Sequence, residues 1–160
     1  MTGSRSTSPE PIGGRPPSPR LIPAGRAVAG TVTPPPSKSF THRYLNLAWL
    51  SGEPLTLRRP LLSEDTRLFL RALEACGHEI REEGDQVHVA PAREGIEGGE
   101  VFCGNAGTMF RFLAATLTAL PGRFVLDGTP RLRERPVGPL LEALRPLGAE
   151  ITCREREGYA

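Results

Sequence analysis

The sequence predicts a mixed α/β (α+β) fold built from two tandem copies of one βαβαββ unit. Three observations carry that prediction. The stretch Ala72-Leu73-Glu74-Ala75-Cys76-Gly77-His78-Glu79-Ile80 returns as Ala143-Leu144-Arg145-Pro146-Leu147-Gly148-Ala149-Glu150-Ile151, an offset of 71 residues (143 less 72). Upstream, Arg43-Tyr44-Leu45 aligns with Arg111-Phe112-Leu113 at an offset of 68 (111 less 43), and small loop insertions account for the drift. Finally, two polar loops, Ser37-Lys38-Ser39 and Gly104-Asn105-Ala106-Gly107-Thr108, each open an apolar helical pattern followed by an arginine, Arg43 or Arg111. A helix N-terminus offers free N–H groups and partial positive charge, so each loop is suited to a small anion.

Residues 1–25, rich in Ser, Pro, Gly and Arg, have too few apolar side chains to offset chain entropy and are expected to form a disordered tail. Their prolines disfavour the amphipathic helix of a transit peptide. The first copy, about 27–90, begins with a strand over 27–33. A helix over 39–51 follows, with Tyr44, Leu45, Leu47, Ala48 and Leu50 apolar. Leu55 and Leu57 alternate in a strand over 54–59. The next helix, 65–76, is capped by Ser63 and stopped by Gly77. A hairpin, 78–82 and 86–90, turns at Glu83-Gly84-Asp85. The second copy, about 100–160, repeats the order: strand 100–103, helix 107–120, strand 123–127, helix 137–147 and strand 149–154. By the same arithmetic 157–160 falls inside a final strand, so the chain is expected to be a fragment of something longer.

At 160 residues with 38% hydrophobic content, residues 26–160 can hold one ordinary core, and a net charge of +2 reads as soluble. Basic and acidic residues are interspersed and only 6% are aromatic, which argues against a nucleic-acid footprint. No apolar run reaches the roughly 18 residues of a membrane helix. Cys76, Cys103 and Cys153 are odd in number and widely spaced, which points to a reducing, cytoplasmic setting rather than a disulfide framework.

The strings PPSKSFTHR, SEDTR, FCGNAGT, DGTPRLRERPVGPLLEALRPLGAEI and GYA, colinear over 27–160, resemble the N-terminal portion of the 3-phosphoshikimate 1-carboxyvinyltransferase (EPSP synthase) family. The resemblance implies about two of six enolpyruvyl transferase-like repeats, hence an incomplete pseudo-threefold inside-out barrel domain. It implies transfer of the enolpyruvyl group of phosphoenolpyruvate to the 5-hydroxyl of shikimate 3-phosphate, with release of phosphate and no metal or organic cofactor. Its partners are those two small molecules, with no nucleic acid and no membrane, and a complementary C-terminal segment is a further expected partner. This chain alone is expected to be inactive, because the family's proton-transfer groups belong to later repeats.

The resemblance assigns Lys38 to both substrates as the catalytic residue of this stretch, Ser39 and Arg43 to shikimate 3-phosphate, and Asn105, Gly107 and Arg131 to phosphoenolpyruvate. Physically, Lys38 is a compact charge that can counter a developing anion. Ser39 and Arg43, four residues apart, share a helical face. Any side chain at Gly107 would intrude on the ligand. Met109-Phe110-Arg111-Phe112 departs from the Ala-Met-Arg-Pro that many bacterial members carry after the glycine loop. Blander readings accompany several residues: Ser37-Lys38-Ser39 alone is an ordinary capped helix start, His42 faces the helix surface, and His78 and His88 are incidental. Likewise Cys103 is a buried small hydrophobe, Asp65-Thr66-Arg67 charges a helix start, and Glu134 pairs with Arg135 to shape their loop. Three alternatives remain open: a non-catalytic anion-binding fragment, a truncated-gene remnant, and a UDP-N-acetylglucosamine enolpyruvyl transferase. The last expects Lys-Asn where Lys38-Ser39 stands and a reactive cysteine within 129–135, a stretch with none.

Overall fold

The computed structural model describes residues 21, 25, 27, 29–93 and 98–160, in two units, 1–33 and 34–160. In the first unit the described residues carry no helix or strand, so the expected strand over 27–33 is not formed there. Val32 is 84% exposed. The expected tail falls almost wholly outside the described residues.

The second unit opens with α1, Lys38–Ser51. The Ser37 side chain caps it by accepting from the Phe40 N–H, and Gly52 ends it in the left-handed region at φ 66°. Strand β1, Leu55–Arg58, leads into α2, Glu64–Ala75. The Ser63 N–H donates to Thr66 Oγ1 at 2.7 Å, closing the start of α2, and Gly77 (φ 87°) closes its end. Strands β2, Ile80–Glu83, and β3, Gln86–Val89, form the expected hairpin two residues later than its first strand was placed. β3 lies between β1 and β2, antiparallel to both. Val87 and Val89 alternate inward from the central strand, as period two requires.

The second copy starts with β4, Gly98–Phe102, then α3, Gly107–Leu117, and β5, Arg123–Asp127, which pairs parallel with β4. A short helix α4, Pro130–Arg133, occupies a stretch read as loop. Helix α5 covers only Gly138–Leu144 before tightening into a 3₁₀ turn, Arg145–Leu147. Pro146 is the reason: it lacks the N–H that an α-helix would direct back four residues.

The expected strand over 149–154 and its partner over 157–160 are absent. The last residues dock elsewhere. Val137 and Gly138 donate to the Gly158 carbonyl at 2.8 and 2.9 Å, Ala160 N–H donates to the Arg135 carbonyl at 3.1 Å, and Tyr159 makes a single bridge to Pro136. With those backbone groups engaged on 135–138, residues 149–154 have no ladder to join.

Helices α1, α2 and α3 share one apolar core with the sheets. Leu45, Phe69, Leu73, Met109, Leu113 and Cys103 are at most 1% exposed at its centre. The outer face of α1 is different. Phe40, Tyr44, Leu47 and Leu50, at helical spacing, are all about half exposed or more.

Candidate functional site

The two polar loops of the sequence come together because their helices run parallel. Along α1 and α2, Lys38 Nζ meets Asp65 Oδ2 at 2.7 Å, and one turn later the His42 ring meets Phe69 edge-on, 5.5 Å between centroids. Along α1 and α3, the Arg43 guanidinium lies 5.7 Å from the Phe112 ring centroid, and further on Thr116 Oγ1 donates to Asn46 Oδ1 at 2.8 Å. In each pair the residue numbers rise together, so all three N-termini lie at one end. Leu68 of α2 packs against Gly104, which draws the glycine loop to the same place. Leu61 N–H donates to Thr41 Oγ1 at 3.0 Å and fixes the approach to α2.

The three N-termini differ in what they already hold. α2 carries Glu64 and Asp65 in its first turn, so its partial positive charge is met by carboxylates. α1 is capped by Ser37, and Lys38 is held by Asp65. α3 has no side-chain cap at Ala106 and no acidic residue in its first turn; the buried Gly107 N–H donates to the Asn105 carbonyl at 3.0 Å, and the Thr108 and Met109 N–H groups are the ones left for an incoming anion. Around this third terminus the side chains are basic or neutral. Arg111 donates to the Gly107 carbonyl at 3.0 Å and to the Pro136 carbonyl at 2.9 Å, and Arg135 Nη2 donates to Asn105 Oδ1 at 2.9 Å.

Of the residues expected from sequence, Lys38, Ser39 and Arg43 sit on the exposed first turns of α1, where Arg43 Nη1 donates back to the Ser39 carbonyl at 3.0 Å. Asn105 and Gly107 open α3. Arg131 lies on α4, exposed, paired with Glu134 at 2.6 Å and, among the described residues, bonded to neither loop through its side chain. Its tie to the loop is through the chain: Thr129 donates to the Gly104 carbonyl from its N–H at 2.8 Å and from its hydroxyl at 3.2 Å. At the common helix end Lys38, Ser39, Arg43 and Asn105 are exposed and Gly107 is buried. A cavity of about 300 Å³ lies beside α4, lined by Pro130, Arg133, Glu134, Glu155, Arg156 and Tyr159.

Two expectations need correction. Glu134 pairs with Arg131 and Arg135 bonds Asn105, so Glu134 and Arg135 do not shape the loop by mutual pairing. His42 does not face the helix surface: it is 1% exposed, turned onto Phe69, and neither ring nitrogen has a hydrogen-bond partner among the described residues. Burial holds its pKa below the usual value; the Asp65 charge opposes that shift and the Lys38 charge adds to it. His78 is also buried, with Nδ1 2.8 Å from the Ala90 carbonyl, so it is a packed structural group. Cys103 is the buried small residue expected, its thiol pushed up to about 12 by burial and by the nearby Asp127 charge. Sequence reasoning placed Arg111 only behind the second anion loop and gave Arg135 only a pairing with Glu134; neither was assigned to a substrate. The Arg43–Arg111 equivalence in the repeat marked the first; no spacing marked the second.

Residues 22–160 match the family described as EPSP synthase (3-phosphoshikimate 1-carboxyvinyltransferase). A 3-phosphoshikimate 1-carboxyvinyltransferase of Rhizobium leguminosarum bv. trifolii is 41% identical over 135 residues, covering 83% of this chain and 32% of that protein. One of Paraburkholderia phytofirmans is 42% identical over 141 residues, with 87% and 32% covered. The solved EPSP synthase of Acinetobacter baumannii superposes with a TM-score of 0.71 at 25% identity, over 82% of this chain and 30% of that one. This chain thus spans about a third of the length of the relatives it matches.

Proposed function

The chain belongs to the EPSP synthase family, and from that membership we propose that it supplies part of the site for enolpyruvyl transfer from phosphoenolpyruvate to the 5-hydroxyl of shikimate 3-phosphate. The single observation that carries this reading is the convergence of three helix N-termini at one exposed end, with only that of α3 left free of carboxylate or side-chain cap. Phosphoenolpyruvate and shikimate 3-phosphate are both small polyanions, and such an end favours them electrostatically. Two of six repeats is also about the share of the relatives that this chain covers.

In this reading Lys38 lies between the two substrates and counters the charge that shifts as the bond from carbon to phosphate oxygen breaks. Ser39 and Arg43 take the shikimate carboxylate, Arg43 through a planar fork that, among the described residues, is otherwise engaged only with the Ser39 carbonyl and the Phe112 ring. Asn105, Gly107 and Arg131 take phosphoenolpyruvate, the first two at the uncapped start of α3. The remaining groups come from later repeats, supplied by a complementary segment; the outward stripe Phe40, Tyr44, Leu47 and Leu50 offers apolar area for such a segment to cover. The free thiols Cys76, Cys103 and Cys153 go with a cytoplasmic setting. No described helix is long and apolar enough to cross a membrane.

The test is a chimera in which 22–160 replaces the matched third of the Rhizobium relative. It is expected to release phosphate from the two substrates together and to lose that activity on Lys38→Ala, while the isolated 160-residue chain releases none. A well-folded chimera that turns over equally with Lys38→Ala removes Lys38 from the reaction. Turnover by the isolated chain shows that no later repeat is needed.

A further inference from the structure

We propose that Asp127, acting through Arg133, is a positioning residue that fixes α4, and with it Arg131, against the glycine loop. This rests on reading Arg131 and that loop as the phosphoenolpyruvate site. Among the described residues the Arg131 side chain bonds only Glu134, so its aim depends on what holds residues 127–133.

Asp127 holds that stretch at both ends. It is the last rung of the parallel ladder, opposite Phe102, and its carbonyl accepts from the Cys103 N–H at 2.7 Å, directly before the glycine loop. Its carboxylate takes a two-bond fork from Arg133, Nε to Oδ1 at 2.9 Å and Nη2 to Oδ2 at 2.7 Å, and Oδ1 also accepts from the Gly128 N–H at 2.7 Å. Residues 128–132 are closed into a loop between the two. That loop lies tight against 104: Thr129 grips the Gly104 carbonyl, Leu132 is 1% exposed, and a Cβ on Gly128 would strike the Gly104 carbonyl oxygen, a backbone atom that cannot swing aside. Arg133 Nη1 bonds Glu155 at 2.7 Å, so each guanidinium nitrogen already serves a carboxylate, which makes Arg133 a strut and not a second phosphate clamp. The Arg133 bonds hold the Asp127 carboxyl below its usual pKa, so the fork is charged at neutral pH.

Positioning and plain electrostatics predict opposite signs here. Asp127 is an anion on the segment that carries Arg131, so removing its charge alone would tighten the binding of another anion. Letting α4 drift weakens it, although every phosphate-facing group is still present.

The experiment compares the 160-residue chain with Asp127→Asn, Arg133→Lys, Arg131→Ala and the Asp127→Asn/Arg131→Ala double variant. Glu157→Gln, which breaks the Arg145–Glu157 pair near the same C-terminus, is the control. Circular dichroism first confirms that each is folded. ¹⁵N NMR then reads two quantities: hydrogen exchange of the Thr129 amide without ligand, and the Kd for phosphoenolpyruvate. Asp127→Asn, and Arg133→Lys, which keeps the charge and loses the fork, are each expected to speed Thr129 exchange about tenfold and to weaken binding about fivefold. Glu157→Gln is expected to change neither. In the Arg131→Ala background Asp127→Asn is expected to move Kd by less than about 1.5-fold, because the group it positions is gone. Tighter binding by Asp127→Asn, equal losses with and without Arg131, or Thr129 exchange unmoved by both fork variants would overturn the proposal. Should Asp127→Asn not fold, Arg133→Lys with and without Arg131→Ala carries the same test. If the parent chain does not bind phosphoenolpyruvate, the substrate reading fails, and Thr129 exchange alone decides whether Asp127 fixes the segment.

Discussion

Thr116→Val probes the tie that brings the two polar loops to one end. Thr116 is 4% exposed and its hydroxyl donates to Asn46 Oδ1 at 2.8 Å, the polar link between α1 and α3. Valine keeps the shape and removes the donor. Asn46 is only partly exposed, so its oxygen loses a partner that water replaces incompletely. Leaving such an acceptor unpaired costs about 1–3 kcal/mol, and the partial exposure of Asn46 places the expectation near the lower half, about 1.5 kcal/mol. With an unfolding entropy of roughly 2.1 cal/mol/K per residue over the 127 residues of 34–160, that is a fall in Tm of about 5–6 °C. Urea titration followed by circular dichroism reads the first quantity, and thermal melting the second. Replacing both partners, as Asn46→Leu with Thr116→Val, is expected to recover most of the loss, since an apolar pair leaves nothing unpaired. A Thr116→Val chain within about 0.3 kcal/mol of the parent, or a double variant worse than the sum of its singles, would refute the argument that this bond registers α1 against α3.

Three further outcomes are expected. Asp65→Asn frees Lys38 from its 2.7 Å partner and, both side chains being partly exposed, is expected to tighten phosphoenolpyruvate binding only about two- to fivefold in low salt, an effect that titration calorimetry in about 0.5 M salt should erase. The folded chain resists protonating His42 and His78, whose pKa values burial lowers from 6.5, while the unfolded chain does not. Stability is therefore complete above about pH 7 and falls as pH drops through 6.5 toward the lowered values, so the urea midpoint is expected to be lower at pH 5.5 than at 7.5; a flat profile counts against two buried neutral imidazoles. Cys103, fully buried with a pKa near 12, is expected to react with a thiol reagent only on unfolding, well after Cys153; equal rates in the native chain would place Cys103 at the surface.

The elements legible in the sequence were those written in local chemistry. The helix around Leu45 and Ala48, the Ser63 and Gly77 boundaries of α2, the Glu83-Gly84-Asp85 turn and the β5 span 123–127 follow from period, caps and turn residues, and all were found. What failed depended on where a neighbour lies. A strand over 149–154 needs an edge, and the segment expected to provide it, 157–160, bonds to 135–138 instead. Helix 137–147 was shortened by Pro146, a local signal that the repeat alignment with 66–76 overrode. In the candidate site, Lys38, Ser39, Arg43 and Gly107 were visible because each stands at a helix start. Arg135 was not, because its relation to Asn105 spans 30 residues and no periodicity encodes it. His42 was misplaced for a similar reason: only the presence of Phe69 one helix away makes its side of α1 the interior.

The parallel run of α1, α2 and α3 carries a cost that the fold bears constantly. Side-by-side helices pointing the same way set like partial charges next to one another, so their shared end is a region of stored electrostatic tension, which the carboxylates of Glu64 and Asp65 relieve in part. An anion arriving at α3, as the proposed function requires, would relieve the remainder, and the free energy it contributed there would also be free energy of folding. Occupancy and integrity are thus one quantity at this end of the molecule: the chain should be at its most compact and slowest to open when its site is full.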